Sequence, residues 1–200
     1  INLEFDGVFQ DAEIFVNGRH IGEHQGGYTG FTFDITDAVK PGDNVVAVRV
    51  NNLWNPRLAP RAGEHTFSGG IYRDVRIVVT APLHVAWYGT FVTTPQVSKE
   101  SATVNVKTEV INDDSATKSA TVKTIVLDAN GKSIAQMEST QTIAAGATNV
   151  FDQTSKSIAY PKLWSPEHPN LYSVKTVVLD DGQPVDDYTS PLGFRWFKFT

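Results

Sequence analysis

Length, composition and charge set mild bounds on this 200-residue sequence, which is 40% hydrophobic and 20% charged, as in an ordinary globular protein. The formal net charge is −5, so the sequence lacks the excess of basic residues with which proteins bind nucleic acid or an anionic membrane surface. The absence of cysteine excludes disulfides and thiolate metal sites. No apolar run reaches the roughly 20 residues of a membrane-spanning helix. We therefore expect neither nucleic acid nor a membrane as a partner.

Apolar and polar residues alternate from the start of the chain, which predicts β-strands, and helical periodicity is nearly absent. The first two predicted strands are residues 1–5 and 13–16. Asn17 and Gly18 tolerate the positive φ angles of a tight hairpin turn, and Ile21 and His24 are expected on the returning arm of the hairpin. Residues 35–39 form at most one helical turn.

Two further strands complete the first half of the chain. A turn at residues 41–44 leads into residues 45–50, whose β-branched residues predict a strand buried on both faces. Residues 71–80 form another predicted strand, with arginines facing outward and apolar residues inward. These strands are too few to close a sandwich. We therefore expect an open edge, so that this piece either pairs edge to edge with another copy of the chain or is marginally stable alone.

A domain boundary is predicted at Ala81 and Pro82, because proline cannot donate to a central ladder and the strand pattern restarts after it. Regular turns separate the strands that follow, and this spacing is typical of an immunoglobulin-like sandwich. The predicted strands of this half are residues 83–94, 102–111, 120–127, 137–143, 171–179 and 185–188. From periodicity alone, the fold is all-β, with two sandwiches in tandem.

Short segments occur in an order and spacing that match one family. In the first half they are FDGV at 5–8, VNG at 16–18, GGY at 26–28, FTFDIT at 31–36 and SGGIYRDV at 68–75. In the second half they are LWSPEHPNLY at 163–172 and GFR at 193–195. The first set resembles the N-terminal sugar-binding domain of glycoside hydrolase family 2, a galactose-binding-like jelly-roll sandwich. The second set resembles the immunoglobulin-like domain of that family and the stretch that leads into its catalytic barrel.

The resemblance implies a division into a truncated jelly-roll domain at 1–81, an immunoglobulin-like sandwich at 82–192 and the start of a barrel at 193–200. Family members hydrolyse O-glycosyl bonds with two carboxyl groups of the barrel, as retaining glycosidases do. The acid/base in the family follows an asparagine, and this sequence contains no Asn-Glu pair. The resemblance therefore implies a non-catalytic fragment of a retaining exo-β-glycosidase. A β-galactosidase is the first choice, and glucuronidases and mannosidases share the domain plan.

The stretch from residue 51 to residue 68 is a long loop stiffened by prolines, and loops of this length are often functional. The resemblance implies that it offers a carboxylate to the sugar, and Glu64 lies near that position, where the family usually has aspartate. Arg57 and Arg61 are candidates to orient this carboxylate through bidentate pairing. Trp54 is a candidate to stack on a sugar ring, and Asn52 is a further candidate to bind the sugar. One alternative is that these residues contact the catalytic barrel of the parent enzyme and not the sugar. Another is that Arg61 only pairs with Glu64 and that Trp54 packs beneath the loop.

The sequence also leads to expectations about metal sites, the partner, the location and alternative functions. His20 and His24 lie four residues apart, but a hairpin separates their faces, so we predict no metal site; no cofactor is expected either. The expected partner of the parent enzyme is a β-linked glycan bound through its barrel. A periplasmic or otherwise exported location is expected from the resemblance. The alternative functions are a free-standing carbohydrate-binding module and a structural pair of sandwiches.

Overall fold

The computed structural model describes residues 1–58 and 69–197, and there the chain forms strands and turns. A search of these residues finds no candidate for a membrane-spanning helix. The chain divides into two units, unit 1 at Ile1–Val79 and unit 2 at Thr80–Thr200. The predicted all-β fold class is confirmed.

The described part of unit 1 contains eight short strands. They are β1 (Asn2–Phe5), β2 (Val8–Phe9), β3 (Asp11–Val16), β4 (Arg19–Gln25), β5 (Phe31–Asp34), β6 (Val46–Asn51), β7 (Gly70–Ile71) and β8 (Val75–Val78). They form two three-stranded sheets, ordered β5-β1-β8 and β4-β3-β6, and a two-stranded pair, β2-β7. All pairings are antiparallel. The predicted hairpin turn is confirmed, since Asn17 and Gly18 have φ angles of 52° and 81°.

The core of unit 1 lies between the inner faces of its two three-stranded sheets. Leu3 and Phe5 of β1 are buried, as are Ile14 and Val16 of β3. The alternation of buried and half-buried residues along β3 follows from the two-residue period of a strand. At one side of the unit, β4 and β5 touch, so that a Cβ at Gly22 would clash with the ring of Phe33.

The other side of unit 1 is open in the part of the chain that the structure describes. Here β6 and β8 are the outer strands of their sheets. Val46 pairs with Val16 and Ile77 pairs with Leu3, so both face the core side, yet they are 40% and 62% exposed. The prediction that residues 45–50 are buried on both faces is therefore wrong. Ile77 does face inward, as predicted for the apolar residues of 71–80, but it is exposed to solvent. No described residue covers these inward-facing side chains of β6 and β8.

Unit 2 also contains eight strands in its described part. They are β9 (Leu83–Val97), β10 (Ser101–Asn112), β11 (Lys118–Leu127), β12 (Ser133–Ile143), β13 (Thr148–Thr154), β14 (Ile158–Ala159), β15 (Tyr172–Asp180) and β16 (Gln183–Leu192). One sheet has the order β13-β10-β14 with β9 also paired to β10, and the other has the order β12-β11-β15-β16. The sequence pattern did not predict β13 or β14.

The interior of unit 2 consists of two apolar clusters with a polar layer. One cluster is centred on Val104, Val106 and Phe194, and the other includes Val110 and Phe151. The polar layer consists of four buried side chains from four different strands: Thr108, Thr124, Gln153 and Thr176. We call this set the polar belt. Because these side chains point inward, the belt is part of the core.

Candidate functional site

The candidate site is the loop that follows β6, where the sequence concentrates polar and aromatic side chains. Asn52, Trp54 and Arg57 belong to its described first part, and all three are exposed. Trp54 is 68% exposed, so most of its ring is accessible to solvent. Arg61 and Glu64 lie outside the described residues. Three of the five predicted residues thus lie exposed on one short segment, and the roles of all five stay predictions.

Asparagine side chains shape the first turns of this loop. Asn51 Oδ1 accepts a hydrogen bond from the N–H of Leu53 at 3.0 Å. Asn55 Oδ1 accepts one from the N–H of Arg57 at 2.9 Å. Asparagine favours such turns because its side chain bonds to the backbone two residues further on. The loop therefore leaves β6 in a conformation that its own sequence fixes.

Gln10 anchors the loop from within unit 1. Its side chain is buried, and Nε2 donates to the carbonyl of Leu53 at 2.7 Å. Its carbonyl accepts the N–H of Gly26 at 2.8 Å, so the same residue also holds a second loop. Removing one partner of a buried hydrogen bond costs about 1–3 kcal/mol. No sequence pattern pointed to Gln10, because its role depends on which carbonyl the folded chain places beside it.

The two described ends of the loop meet at a glycine. Gly69 lies against the side-chain amide of Asn52, where any Cβ would clash. Next along the chain, Ile71 pairs with Val8, which joins this end of the loop to β2. Asn52 therefore has a structural contact that the sequence did not reveal, in addition to its exposed surface.

Aromatic side chains lie beside the point where β2 pairs with β7. The hydroxyl of Tyr72 donates to the carbonyl of Gly27 at 2.6 Å. The rings of Tyr28 and Tyr72 meet edge to face at 6.5 Å, and that of Phe9 lies 6.1 Å from Tyr28. Tyr28 is 60% exposed and is a further candidate contact, which was not among the residues predicted from the sequence. The signal available was the position of both tyrosines within the GGY and SGGIYRDV segments.

An ion-pair network holds β8, the strand that follows Tyr72. Arg76 donates to both carboxylate oxygens of Asp6, at 2.8 and 2.6 Å, and to Asp74 at 3.3 Å. The hydrogen bonds from Arg76 hold the pKa of the Asp6 carboxyl below its ordinary value of 3.8. A bidentate pair of this kind is directional, so it links β1 to β8 in a fixed register.

His20 and His24, which both lie in β4, have aromatic neighbours. The ring of His24 stacks on Phe31 at 4.2 Å, and burial lowers the pKa of its imidazole. The ring of His20 lies 5.1 Å from that of Phe15. Among residues 1–58 and 69–197, no group of three or more histidine, aspartate or glutamate side chains is arranged to hold a metal ion.

Two family models match the chain in succession. Residues 1–82 match the sugar binding domain of glycosyl hydrolases family 2, and residues 83–195 match a second domain model of the same family. Together they follow the order of the two units, which divide after Val79.

Individual relatives agree with the family models. The chain is 36% identical over 198 residues to the β-galactosidase BoGH2A of Bacteroides ovatus, covering 98% of this chain and 22% of the relative. It is 37% identical over 202 residues to a β-glucuronidase of Bacteroides fragilis, covering 98% of this chain and 29% of the relative. The crystal structure of a Bacteroides uniformis β-glucuronidase superposes with a TM-score of 0.93 at 33% identity, covering 99% of this chain and 24% of that structure. The chain thus spans less than a third of each relative's length.

Proposed function

Because the chain belongs to glycosyl hydrolases family 2, we propose that it is the non-catalytic, two-sandwich part of a retaining glycosidase that hydrolyses O-glycosyl bonds. The observation that carries this proposal is the unbroken match of both domain models over residues 1–82 and 83–195. The fold supports it, since a β-glucuronidase structure superposes on 99% of the chain. A retaining mechanism requires two carboxyl groups about 5–5.5 Å apart, which we assign to a catalytic domain outside these 200 residues.

The substrate in this proposal is a β-linked galactoside or glucuronide. Enzymes named for each substrate are about equally similar to this chain in sequence: a β-galactosidase is 36% identical and a β-glucuronidase is 37% identical. The two sugars differ in charge, because a glucuronide carries a carboxylate where a galactoside carries a hydroxymethyl group. The exposed guanidinium of Arg57 suits the charged substrate, and the largely exposed ring of Trp54 suits either one.

The loop after β6 is the proposed contribution of this chain to the active site. Glu64 would accept hydrogen bonds from sugar hydroxyls, and Arg57 and Arg61 would orient that carboxylate. Trp54 would stack on the apolar face of a sugar ring, and Asn52 would donate from its amide. The anchoring of the loop by Gln10 at 2.7 Å supports this role, because a preorganised loop loses less entropy when it binds.

Hydrolysis assays test the main proposal. The 200-residue chain and the polypeptide encoded by the complete gene are each assayed on aryl β-galactoside, β-glucuronide and β-mannoside. We expect no turnover by the chain alone and turnover of one aryl glycoside by the complete polypeptide. Turnover by the chain alone would overturn the non-catalytic assignment. A complete polypeptide that hydrolyses none of the three would overturn the glycosidase assignment.

Substitutions in the complete enzyme test the loop. We expect Glu64→Gln and Trp54→Ala each to lower kcat/KM by about 10-fold or more, the loss of roughly one charge-assisted hydrogen bond or one stacked ring. Arg19→Ala is the matched control, because Arg19 is an exposed arginine in β4, outside the loop. A Glu64→Gln enzyme with the kcat/KM of the control would remove Glu64 from the site.

We further propose that the isolated chain self-associates through the open side of unit 1. The exposed inward-facing side chains of β6 and β8 support this, since Val46 is 40% and Ile77 62% exposed. Outer strands with apolar faces tend to pair with other chains.

A further inference from the structure

Unit 2 contains a groove of about 720 Å³ that the proposed hydrolysis does not use. The turn between β11 and β12, the segment after β14 and the entrance to β15 form its walls. We call it the Tyr160 groove. Its volume lies within the range of about 300–1,000 Å³ typical of ligand sites. The residues that line it include Asp128, Asn130, Lys132, Tyr160, Lys162 and Leu171.

The walls of the groove are held by hydrogen bonds. Asp128 Oδ1 accepts the backbone N–H groups of Asn130 at 2.9 Å and Lys132 at 3.0 Å. The N–H of Lys162 donates to the hydroxyl of Tyr172 at 2.9 Å. The groove is therefore shaped before any ligand arrives, which reduces the entropy lost on binding.

Tyr160 has an unfavourable backbone conformation and an exposed ring. Its φ angle is 48°, in the left-handed region that costs a non-glycine residue free energy. Its side chain is 79% exposed, so burial of the ring does not offset that cost. A flat aromatic ring beside polar groups is the surface on which the apolar face of a sugar ring stacks. Contact with a ligand would give this residue a role that packing does not.

The charges in the groove favour an anion. Lys132 and Lys162 are exposed, and neither forms an ion pair with the part of the chain that the structure describes. The one acidic side chain of the groove, Asp128, already accepts two backbone N–H groups through one oxygen. Two unpaired ammonium groups beside a stacking ring suit a ligand that carries both sugar rings and carboxylates.

We propose that the Tyr160 groove binds an acidic oligosaccharide that contains uronate residues. One sugar ring stacks on Tyr160, the uronate carboxylates pair with Lys132 and Lys162, and the amide of Asn130 bonds to hydroxyls. This inference rests on the proposed function, because a glycosidase with such a groove would hold a polymeric substrate at a second place on its surface.

Calorimetry on the 200-residue chain tests the groove with a β-1,4-linked tetraglucuronate and its neutral counterpart, cellotetraose. We expect the acid to bind with a Kd of about 1 mM or tighter, the neutral sugar to bind at least about 5-fold more weakly, and the acid to lose affinity as salt is added. Absence of binding by the acid, or equal binding of both sugars at all salt concentrations, would overturn the proposal.

Variants separate the groove from a general surface effect. Tyr160→Gly relieves the left-handed strain, so we expect it to melt at the same or a higher temperature while it weakens binding about 10-fold. The Lys132→Gln/Lys162→Gln double variant is expected to weaken binding about 5-fold and to flatten the salt dependence. Tyr188→Ala and Lys107→Gln are the controls, because these exposed residues lie in β16 and β10, and we expect less than about 2-fold change from either. Controls that weaken binding as much as the groove variants would contradict the assignment.

The two proposals can fail separately. If the complete polypeptide hydrolyses an aryl glycoside but the chain does not bind tetraglucuronate, only the groove inference is wrong. If the complete polypeptide hydrolyses none of the aryl glycosides but the groove variants behave as expected, the chain is a carbohydrate-binding module and the glycosidase proposal is wrong.

Discussion

The two units differ in how completely two sheets enclose the core between them. In unit 2, side chains link the outer strands of both sheets at each side. The N–H of Val85 in β9 donates to Asp186 of β16 at 2.8 Å, and Gln141 of β12 donates to the carbonyl of Val150 in β13 at 2.9 Å. In unit 1, the described residues close only the side where β4 meets β5. Similar β-branched strands are therefore core in one unit and surface in the other.

The comparison shows that burial of a strand depends on what covers it more than on its composition. Val104 and Val106 of β10 are fully buried, whereas Val46 of β6 is 40% exposed. Both strands are rich in valine and alternate with a period of two. The difference arises because β10 lies between neighbouring strands and β6 is the last strand of its sheet.

The largest expected effect distinguishes the two interiors directly. Phe151→Ala removes a ring that is fully buried in unit 2, and we expect it to lower the free energy of unfolding by about 4 kcal/mol. Ile77→Ala truncates a side chain that is 62% exposed, and we expect a loss below about 1 kcal/mol. Urea denaturation of the 200-residue chain measures both. A large loss for Ile77→Ala would mean that another copy covers β8 in solution.

The next effect concerns association. Ile77→Lys places a charge on the open side of unit 1, where pairing with a second chain would bury it. We expect the unsubstituted chain to associate at about 100 µM, and Ile77→Lys to weaken that association at least about 10-fold. Light scattering over a concentration series measures the mass. Val150→Lys is the control, since Val150 is 47% exposed on β13 of the closed unit. An unsubstituted chain that stays monomeric, with a high melting temperature, would contradict self-association.

A smaller effect comes from a hydroxyl group inside the closed unit. Thr108 is fully buried, and its Oγ1 has no hydrogen-bond partner within the described residues. Thr108→Val removes this group at nearly constant volume, so we expect it to raise the free energy of unfolding by about 1 kcal/mol. Thr124→Val is the matched change in the same belt. Because Thr124 Oγ1 donates to Gln153 at 2.6 Å, it should destabilise unit 2 by about 1–2 kcal/mol.

The smallest effect is a pH dependence in unit 1. The pKa of Asp6 is held below its ordinary value of 3.8 by the hydrogen bonds from Arg76. A carboxyl group with a lowered pKa contributes stability above its unfolded pKa and loses that contribution as the pH falls through the folded pKa. We expect Asp6→Asn to lower the melting temperature slightly at pH 7 and to reduce its fall below about pH 4. Thermal melts across the acid range measure this. Parallel curves for both proteins would contradict it.

Much of the fold could be predicted from the sequence, because strand alternation and turn residues are local signals. The hairpin at Asn17 is an example. The strand Thr148–Thr154 was not predictable in this way, because its inward positions include the polar Gln153, which breaks the apolar alternation. Likewise, Val46 is exposed because no described strand pairs with the outer side of β6, and no local pattern records which strand lies at the edge of a sheet.

The candidate site was predictable only in part. The length of the loop and its prolines make it a candidate site, and the family resemblance makes Glu64 a candidate residue, whose role stays a prediction. The contact of Gln10 with the loop depends on long-range packing, since Gln10 meets Leu53 from 43 residues away. Such partners become visible only when strand pairings are known.

The polar belt of unit 2 has a consequence for the specificity of folding. A sandwich with a purely apolar interior can slide by two residues along a strand and still keep its apolar side chains inside. Here Gln153 must meet Thr124, the carbonyl of Val122 and Ser139 at the same time. A slipped register would bury that amide without partners, which costs more than the hydrogen bonds themselves contribute. The belt therefore favours one strand register, because alignments of the sheets that are shifted by two residues would lose the hydrogen bonds of Gln153.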